Sequence, residues 1–200
     1  MKTIQLTLAA AALLLGAASC GSSTDSVEQA QQTNEAKIDS TNTTTAQADS
    51  VKDVKKDDSE FLTKAASGDM LEVQMGTEVA KRTTNPGVRQ AAEQMVSDHT
   101  KAGAELKALA AKKNITLPTV LGDDQQKVYN DVLTKKGADL DKEYVSEMVK
   151  DHKEDIEEYQ DAATGGTDTE VKALAQKIVP KLQMHLAMFE KLQTSMDAKK

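Results

Sequence analysis

Several residue types that support common functions are rare in this chain of 200 residues. It contains no Trp, three Tyr and two Phe, which is too few for a surface that binds bases or sugar rings by stacking. The chain has 25 basic and 32 acidic residues. If the N-terminal segment that contains Lys2 is removed, as predicted below, the net charge is −8. Because an acidic chain repels nucleic acid and anionic lipid surfaces, we expect neither as a partner.

Long apolar runs are also missing. The run from Leu6 to Ala18 is shorter than the roughly 20 residues that a membrane-spanning helix needs. With Lys2 before it and small residues after it, this run predicts a secretory signal peptide over residues 1–19. The single cysteine, Cys20, has no partner for an internal disulfide. The segment from Leu15 to Cys20 resembles the lipobox of bacterial lipoproteins, in which the cysteine is lipidated.

These features predict an exported protein that is anchored by lipid in the cell envelope, in the outer membrane and facing the periplasm. The alternative is an ordinary cleaved signal followed by an incidental cysteine. Residues 20–57 are then expected to be a lipidated cysteine and a disordered tether, because Ser, Thr, Asn, Gln and Asp predominate there and large apolar side chains are few.

Helical periodicity of the apolar residues begins after the tether and predicts one folded domain over residues 58–197. Four long helices are expected over about residues 59–83, 86–113, 139–163 and 167–196. Asn85-Pro86 supplies an N-cap and a proline at the first helical position, and Thr167 with Glu170 forms a capping box. The long connection between the second and third helices contains a short helix near residues 123–136, which stops at Gly137. This pattern predicts an all-α, ferritin-like four-helix bundle.

Polar residues that interrupt the apolar stripes fall near one level of this bundle. The midpoints of the four helices lie near residues 71, 100, 151 and 182. Glu72, His99 and His152 are within about one residue of a midpoint, and His185 is three residues beyond its own, roughly 4–5 Å along the axis. The sequence therefore places one carboxylate and three imidazoles in a central layer.

The phrase Met-Val-x-Asp-His occurs twice and ends at His99 and at His152. Each aspartate, Asp98 or Asp151, is rotated about 100° around its helix from the histidine that follows it. It can orient an imidazole of a neighbouring helix that binds a metal, or it can be a solvated surface acid.

Two interpretations of the central layer stay open. Imidazole and carboxylate groups from different helices suit a transition metal such as zinc, iron or copper. A layer whose members hydrogen-bond one another would instead fix the register of the helices. Di-iron chemistry is disfavoured, because ferritin-like sites use Glu-x-x-His and Val96, Val149 and Leu182 stand where those glutamates would be. No nucleophile–base pair or phosphate-binding loop is recognisable, so we expect no enzymatic activity.

Six short pieces occur in order along the chain: Gly68 to Glu72, Asn85-Pro86, Met95-Val96-x-Asp98-His99, Leu117-Pro118, Met148-x-x-Asp151-His152 and Pro180-x-Leu182-x-x-His185-Leu186. Together they resemble the bacterial domain-of-unknown-function family numbered 4142. The resemblance covers about residues 58–196. It implies a ferritin-like helical bundle, usually in envelope proteins, with no established biochemical activity.

The sequence supports three functional hypotheses. The first is a non-enzymatic envelope lipoprotein that displays the bundle for interaction or stress tolerance, with an unknown protein partner. The second is binding or storage of a transition metal by Glu72, His99, His152 and His185. The third is adhesion through an acidic outer face formed by Asp151, Glu154, Asp155, Glu157 and Glu158, which is otherwise a solvated helix surface. A homo-oligomer is compatible with all three.

Overall fold

The computed structural model describes residues 25–40 and 46–198. Within these ranges the chain forms six helices: α1 Ser26–Asp39, α2 Ala46–Arg82, α3 Pro86–Lys112, α4 Asp123–Leu133, α5 Gly137–Gly165 and α6 Thr169–Asp197. The predicted all-α fold is confirmed. The predicted signal peptide and Cys20 lie outside the described residues. None of the described helices is both long and apolar enough to cross a membrane.

Side-chain caps set the beginning of α3 and α6. Asn85 accepts hydrogen bonds from two backbone N–H groups in the first turn of α3, at 3.0 and 3.4 Å, as its position before Pro86 predicts. The start of α6 differs from the prediction, since Asp168 rather than Thr167 is the capping residue and accepts two such bonds at 2.9 and 3.2 Å. Gly137 also differs, because it opens α5 with a φ of 56° instead of ending α4.

Helices α2, α3, α5 and α6 form the bundle. Helix α2 packs along α3 and α5 along α6, while α2 also contacts α5 and α3 also contacts α6. Lys113, after the end of α3, contacts Asp168 at the start of α6. At the opposite end Arg82, the last residue of α2, donates hydrogen bonds to the carbonyls of Leu133 and Lys135. The connection between α3 and α5 therefore runs the length of the bundle, which is the crossover of a ferritin-like fold.

The predicted tether is corrected where the structure describes it, because α1 lies within it and α2 begins at Ala46. Helix α1 is polar, yet its Asn34 is only 2% exposed. The Asn34 amide donates to the carbonyl of Thr116 at 2.9 Å and accepts from the N–H of the same residue at 2.7 Å. Lys37 adds a bond to the carbonyl of Asn114 at 3.0 Å. The prediction of disorder rested on composition, which does not reveal contacts between residues that are far apart in the sequence.

The apolar core is divided into two clusters. One lies towards the turn between α2 and α3 and includes Met75, Met95, Met148 and Phe189. The other lies towards the turn between α5 and α6 and includes Leu62, Leu106, Tyr159 and Leu182. Between them are six polar residues, each less than a tenth exposed, which we call the polar layer: Asp69, Glu72, Asp98, His99, His152 and His185.

A polar layer with three histidines as candidate metal centre

Each bundle helix contributes to the polar layer, and the four residues predicted to share a level do so. Glu72 comes from α2, His99 from α3, His152 from α5 and His185 from α6. The three imidazole rings have centroids 5.3, 5.4 and 5.8 Å apart. The ring of His185, whose residue was predicted to lie about 4–5 Å further along the axis, is as near to the other two rings as they are to each other.

One nitrogen of each imidazole is held by an acceptor. His99 Nδ1 donates to Asp69 Oδ1 at 2.7 Å, and His185 Nε2 donates to Asp98 Oδ2 at 3.0 Å. His152 Nδ1 donates to the carbonyl of Met148 at 2.9 Å, one turn back in its own helix. Metal-binding histidines are oriented in this way, with the second nitrogen left free to coordinate.

The second nitrogens face one another. His152 Nε2 lies 3.4 Å from His185 Nδ1, and because each neutral ring has already used its proton elsewhere, neither nitrogen carries a hydrogen towards the other. His99 Nε2 is buried and has no hydrogen-bond partner among the described residues. One nitrogen from each of the three rings lies within 4.8 Å of one nitrogen from each of the others. The imidazoles of three helices thus approach one another closely enough to share one ion in the core.

Glu72 is the carboxylate of this cluster. Its Oε2 lies 2.6 Å from His99 Nδ1 and its Oε1 lies 3.5 Å from His152 Nε2. The proton of His99 Nδ1 is directed to Asp69, so Glu72 Oε2 meets this nitrogen as an ion pair, and Glu72 Oε1 has no hydrogen-bond partner within the described part of the chain. A buried carboxylate without donors is unfavourable unless a positive charge compensates it.

Asp69 is a member of the layer that the sequence analysis missed. It lies three residues before Glu72 and therefore on the same face of α2, a spacing that identifies it in retrospect. Its Oδ1 holds His99, whereas its Oδ2 is buried without a hydrogen bond among the described residues.

The charges of the layer are unequal. Burial disfavours the charged forms of both Glu72 and His99, but the imidazoles lower the pKa of Glu72, and Glu72 with Asp69 raises the pKa of His99 well above its usual value. Burial also lowers the pKa of His152, and it lowers that of His185 to about 4. His152 and His185 are therefore neutral at neutral pH and offer lone pairs, while His99 must release a proton before it can bind a metal.

Asp98 faces His185 rather than solvent, so of its two predicted roles the structure agrees with orientation of an imidazole. It is 6% exposed and also receives a hydrogen bond from Gln94 at 2.6 Å and contacts Lys181 at 3.2 Å. Burial pushes the pKa of Asp98 up, but the bonds from Gln94, His185 and Lys181 outweigh burial and lower the pKa to about 2.

Asp151 has the opposite surroundings. It is partly buried, and its Oδ2 has no hydrogen-bond partner among the residues that the structure describes. Burial first, and then the charges of Glu72 and Glu147, raise the pKa of Asp151 well above its usual value. Asp151 is therefore not an orienting partner of a histidine.

Three overlapping sets of side chains in the described ranges have ligand atoms close enough to share one ion. They are His99 with His152 and His185, Asp69 with Glu72 and His99, and Glu72 with Asp151 and His152. Because the sets share His99, Glu72 and His152, they are neighbouring positions for one cation rather than three independent sites.

Comparison with known proteins gives a family and no activity. Residues 42–192 match the family described as Domain of unknown function (DUF4142). The chain belongs to this family. No curated protein and no solved structure matches it significantly.

The family match covers all of the polar layer, from Asp69 to His185, and all the bundle helices apart from the last turns of α6. Helix α1 precedes the matched residues. In this member of DUF4142 the layer is thus part of the family domain, whereas α1 is attached to it from outside.

Proposed function

We propose that this DUF4142 protein binds one divalent transition-metal ion at its polar layer, through His99, His152, His185 and Glu72. Of the functions that the sequence allows, metal binding or storage is the one that this geometry supports best.

The observation that carries the proposal is the pair of facing nitrogens. Two lone pairs 3.4 Å apart, without a proton between them, repel each other. Two nitrogens bound at about 2.0–2.1 Å to a tetrahedral zinc ion stand about 3.3 Å apart. The contact between His152 Nε2 and Glu72 Oε1, at 3.5 Å, has nearly the same length. These spacings fit edges of one coordination tetrahedron, with a nitrogen of His99, within 4.8 Å of the nitrogens of the other two rings, as the remaining donor.

A purely structural polar layer accounts less well for the same atoms. Such a layer stabilises a fold only when its buried groups satisfy one another. Here Glu72 Oε1, Asp69 Oδ2 and His99 Nε2 have no hydrogen bond among the described residues, and Glu72 Oε2 has the ion pair with His99 alone. A divalent cation would replace the proton of His99, pair with the carboxylate and use the imidazole lone pair that this proton leaves.

The test is metal binding by the chain purified without its predicted signal peptide and stripped with a chelator. We expect one equivalent of Zn²⁺ by calorimetry and mass spectrometry, and a tetrahedral visible spectrum with Co²⁺, which surface carboxylates do not give. His152→Ala removes a central ligand and should weaken Zn²⁺ binding by more than about 100-fold, beyond the loss typical of an outer-shell residue.

Glu93→Gln is the control. It removes a carboxylate, which is also a possible metal ligand, but Glu93 is exposed on the outside of α3 and away from the polar layer. It should bind Zn²⁺ as the parent does. His185→Gln, which keeps a polar side chain of similar size, guards against loss of folding in the alanine variant, with circular dichroism on both. Metal content that is equal in the parent and in both folded histidine variants would contradict the proposal.

We place this metal-binding bundle in the cell envelope, anchored through Cys20. The support is the signal-like run before Cys20 and the lipobox-like residues that precede it. Mass spectrometry of the membrane fraction should find a diacylated N-terminal cysteine, and Cys20→Ser should release the protein from the membrane. An unmodified cysteine in the mature chain would contradict the anchor and leave metal binding unaffected.

A further inference from the structure

Three cavities in the described part of the chain reach the polar layer or its immediate neighbours, and their charges differ. One, of about 190 Å³, reaches Asp98 and His99 and has three lysines against two carboxylates on its wall. A second, of about 680 Å³, reaches Asp69 and His99 along a mostly apolar wall with one lysine. The third, of about 510 Å³, ends at Asp151 and has eight carboxylates and one lysine on its wall.

The third cavity, which we call the acidic cavity, lies where four helices meet. Glu28 of α1, Asp124 of α4 and Glu154 of α5 stand on three of its walls, and Gly68 of α2 is on the fourth. Helix α1 is fixed over it by polar contacts, among them the bond from Ser26 Oγ to the carbonyl of Val120 at 2.9 Å.

The inner end of the acidic cavity leads to the proposed metal site. Asp151 Oδ2 is inaccessible to solvent and has no hydrogen bond among the described residues. A carboxylate oxygen of Asp151 lies within 4.8 Å of an oxygen of Glu72 and of a nitrogen of His152. Glu72 itself is 1% exposed, and neither of its oxygens has a hydrogen bond in the described ranges. A continuous set of unpaired acceptors thus joins the acidic cavity to the histidines.

We propose that the acidic cavity beneath α1 is the path by which the metal ion reaches the polar layer, with Asp151 passing it to Glu72 and His152. This inference rests on the proposed metal binding and adds the route. A cleft with one sign of charge concentrates ions of the opposite sign and speeds their binding. The lysine-rich cavity repels a divalent cation, and the mostly apolar cavity has Asp69 as its one carboxylate against eight in the acidic cavity.

Gly68 allows a direct test of the route. A Cβ at Gly68 would meet no atom within 4 Å, so a larger side chain there projects into open space in the cavity. Gly68→Leu places a better helix former within α2, which keeps the fold, and narrows the acidic cavity without touching a ligand of the metal. In stopped-flow mixing of the full mature chain with Co²⁺, we expect both binding and release to slow by about tenfold, with an unchanged Kd. Gly68→Ala is the matched control and should behave as the parent.

A second test removes charge instead of space. The triple variant Glu28→Gln, Asp124→Asn, Glu154→Gln neutralises one exposed carboxylate on each of three walls. Its rate of Co²⁺ binding at low ionic strength should fall by about tenfold, and added salt should reduce the difference. The control changes net charge equally but elsewhere, at exposed positions of α3, α5 and α6: Glu93→Gln, Glu157→Gln, Glu190→Gln. It should retain most of the parent rate.

The outcomes separate the route from the function. If Co²⁺ binds the parent at the layer but Gly68→Leu and the wall variant bind as fast as their controls, the route is wrong and the metal site stands. If the two triple variants slow binding equally, only the net charge of the protein matters and the route is again wrong. If the parent binds no Co²⁺ or Zn²⁺, the metal site and the route fail together.

Discussion

Asp98 and Asp151 hold equivalent places in two copies of the phrase Met-Val-x-Asp-His, yet their carboxylates have opposite surroundings. Asp98 receives hydrogen bonds from Gln94 and His185 and lies 3.2 Å from Lys181, and its pKa falls to about 2. Asp151 Oδ2 has no hydrogen bond among the described residues, and burial with neighbouring charges raises the pKa of Asp151.

The difference comes from residues outside the repeated phrase. Four residues before each aspartate, on the same helix face, stand Gln94 in one copy and Glu147 in the other. The amide of Gln94 donates to Asp98, whereas the charge of Glu147 raises the pKa of Asp151. A repeated motif thus fixes the position of a side chain on its helix, while the facing helix and the preceding turn decide its charge and role.

The paired histidines differ in the same manner. His99 faces two carboxylates, Asp69 and Glu72, which raise its pKa well above the usual value against the effect of burial. His152 donates to a backbone carbonyl, and burial lowers its pKa. One copy of the phrase therefore supplies a charged imidazole to the polar layer and the other supplies a neutral one.

Replacing each aspartate by asparagine should shift stability in opposite directions. In metal-free protein, Asp98→Asn removes the charged acceptor of His185, Gln94 and Lys181, and we expect unfolding to become easier by about 1–3 kcal/mol. Asp151→Asn removes a carboxylate without a donor and should stabilise the fold by about 1 kcal/mol. Urea unfolding of the three proteins at neutral pH measures both changes. Equal effects of the two substitutions would show that the surroundings of the two copies do not differ in energy.

Much of the fold could be predicted from the sequence, because apolar spacing, Asn85-Pro86 and the long connection each have a local cause. The level of His99 and His152 also followed from helix midpoints, since helical rise converts residue number into height. For Glu72 the midpoint argument was wrong, because α2 begins at Ala46 rather than near residue 59 and its midpoint is not near Glu72. Helix α1 could not be predicted from the sequence. Its place depends on hydrogen bonds between Asn34 and Thr116, which composition does not reveal.

The roles of the layer residues could be predicted only in part. The sequence placed Asp98 and Asp151 about 100° around their helices from the inward-facing histidines. At that angle an aspartate can either orient an imidazole of a neighbouring helix or lie in solvent. Only the packing of α3 against α6 brings Lys181 and His185 to Asp98. Asp69 was detectable from its spacing to Glu72, but a lone aspartate at that distance is as compatible with a surface position.

Metal affinity should also distinguish the two aspartates. Asp98→Asn weakens the hold on His185, and we expect Zn²⁺ affinity to fall by about 10–100-fold, the usual effect of losing a residue that orients a ligand. Asp151→Asn leaves the orientation of the three histidines intact and should change the equilibrium affinity much less, although it lies on the proposed path. Calorimetry with chelator-stripped protein gives both constants. A loss of similar size in the two variants would instead make Asp151 a ligand of the bound ion.

Exchanging the residues four positions earlier should produce a smaller change. Glu147→Gln replaces a like charge beside Asp151 by an amide that can donate to it, as Gln94 donates to Asp98. Gln94→Glu does the reverse. A pair at this spacing is worth about 0.2–0.5 kcal/mol, so we expect Glu147→Gln to stabilise the fold and Gln94→Glu to destabilise it by about that amount.

The exchange is best measured as a double-mutant cycle, because Glu147 also contacts Lys150 at 3.4 Å and that contact is lost with it. The coupling energy between positions 147 and 151, taken from Glu147→Gln, Asp151→Asn and the double variant, isolates the interaction between the two side chains. We expect that coupling to be repulsive in the parent, and the coupling between Gln94 and Asp98 to be attractive. If both couplings are attractive, the facing helix alone sets the difference between the two copies, and the residue at the preceding turn has no part in it.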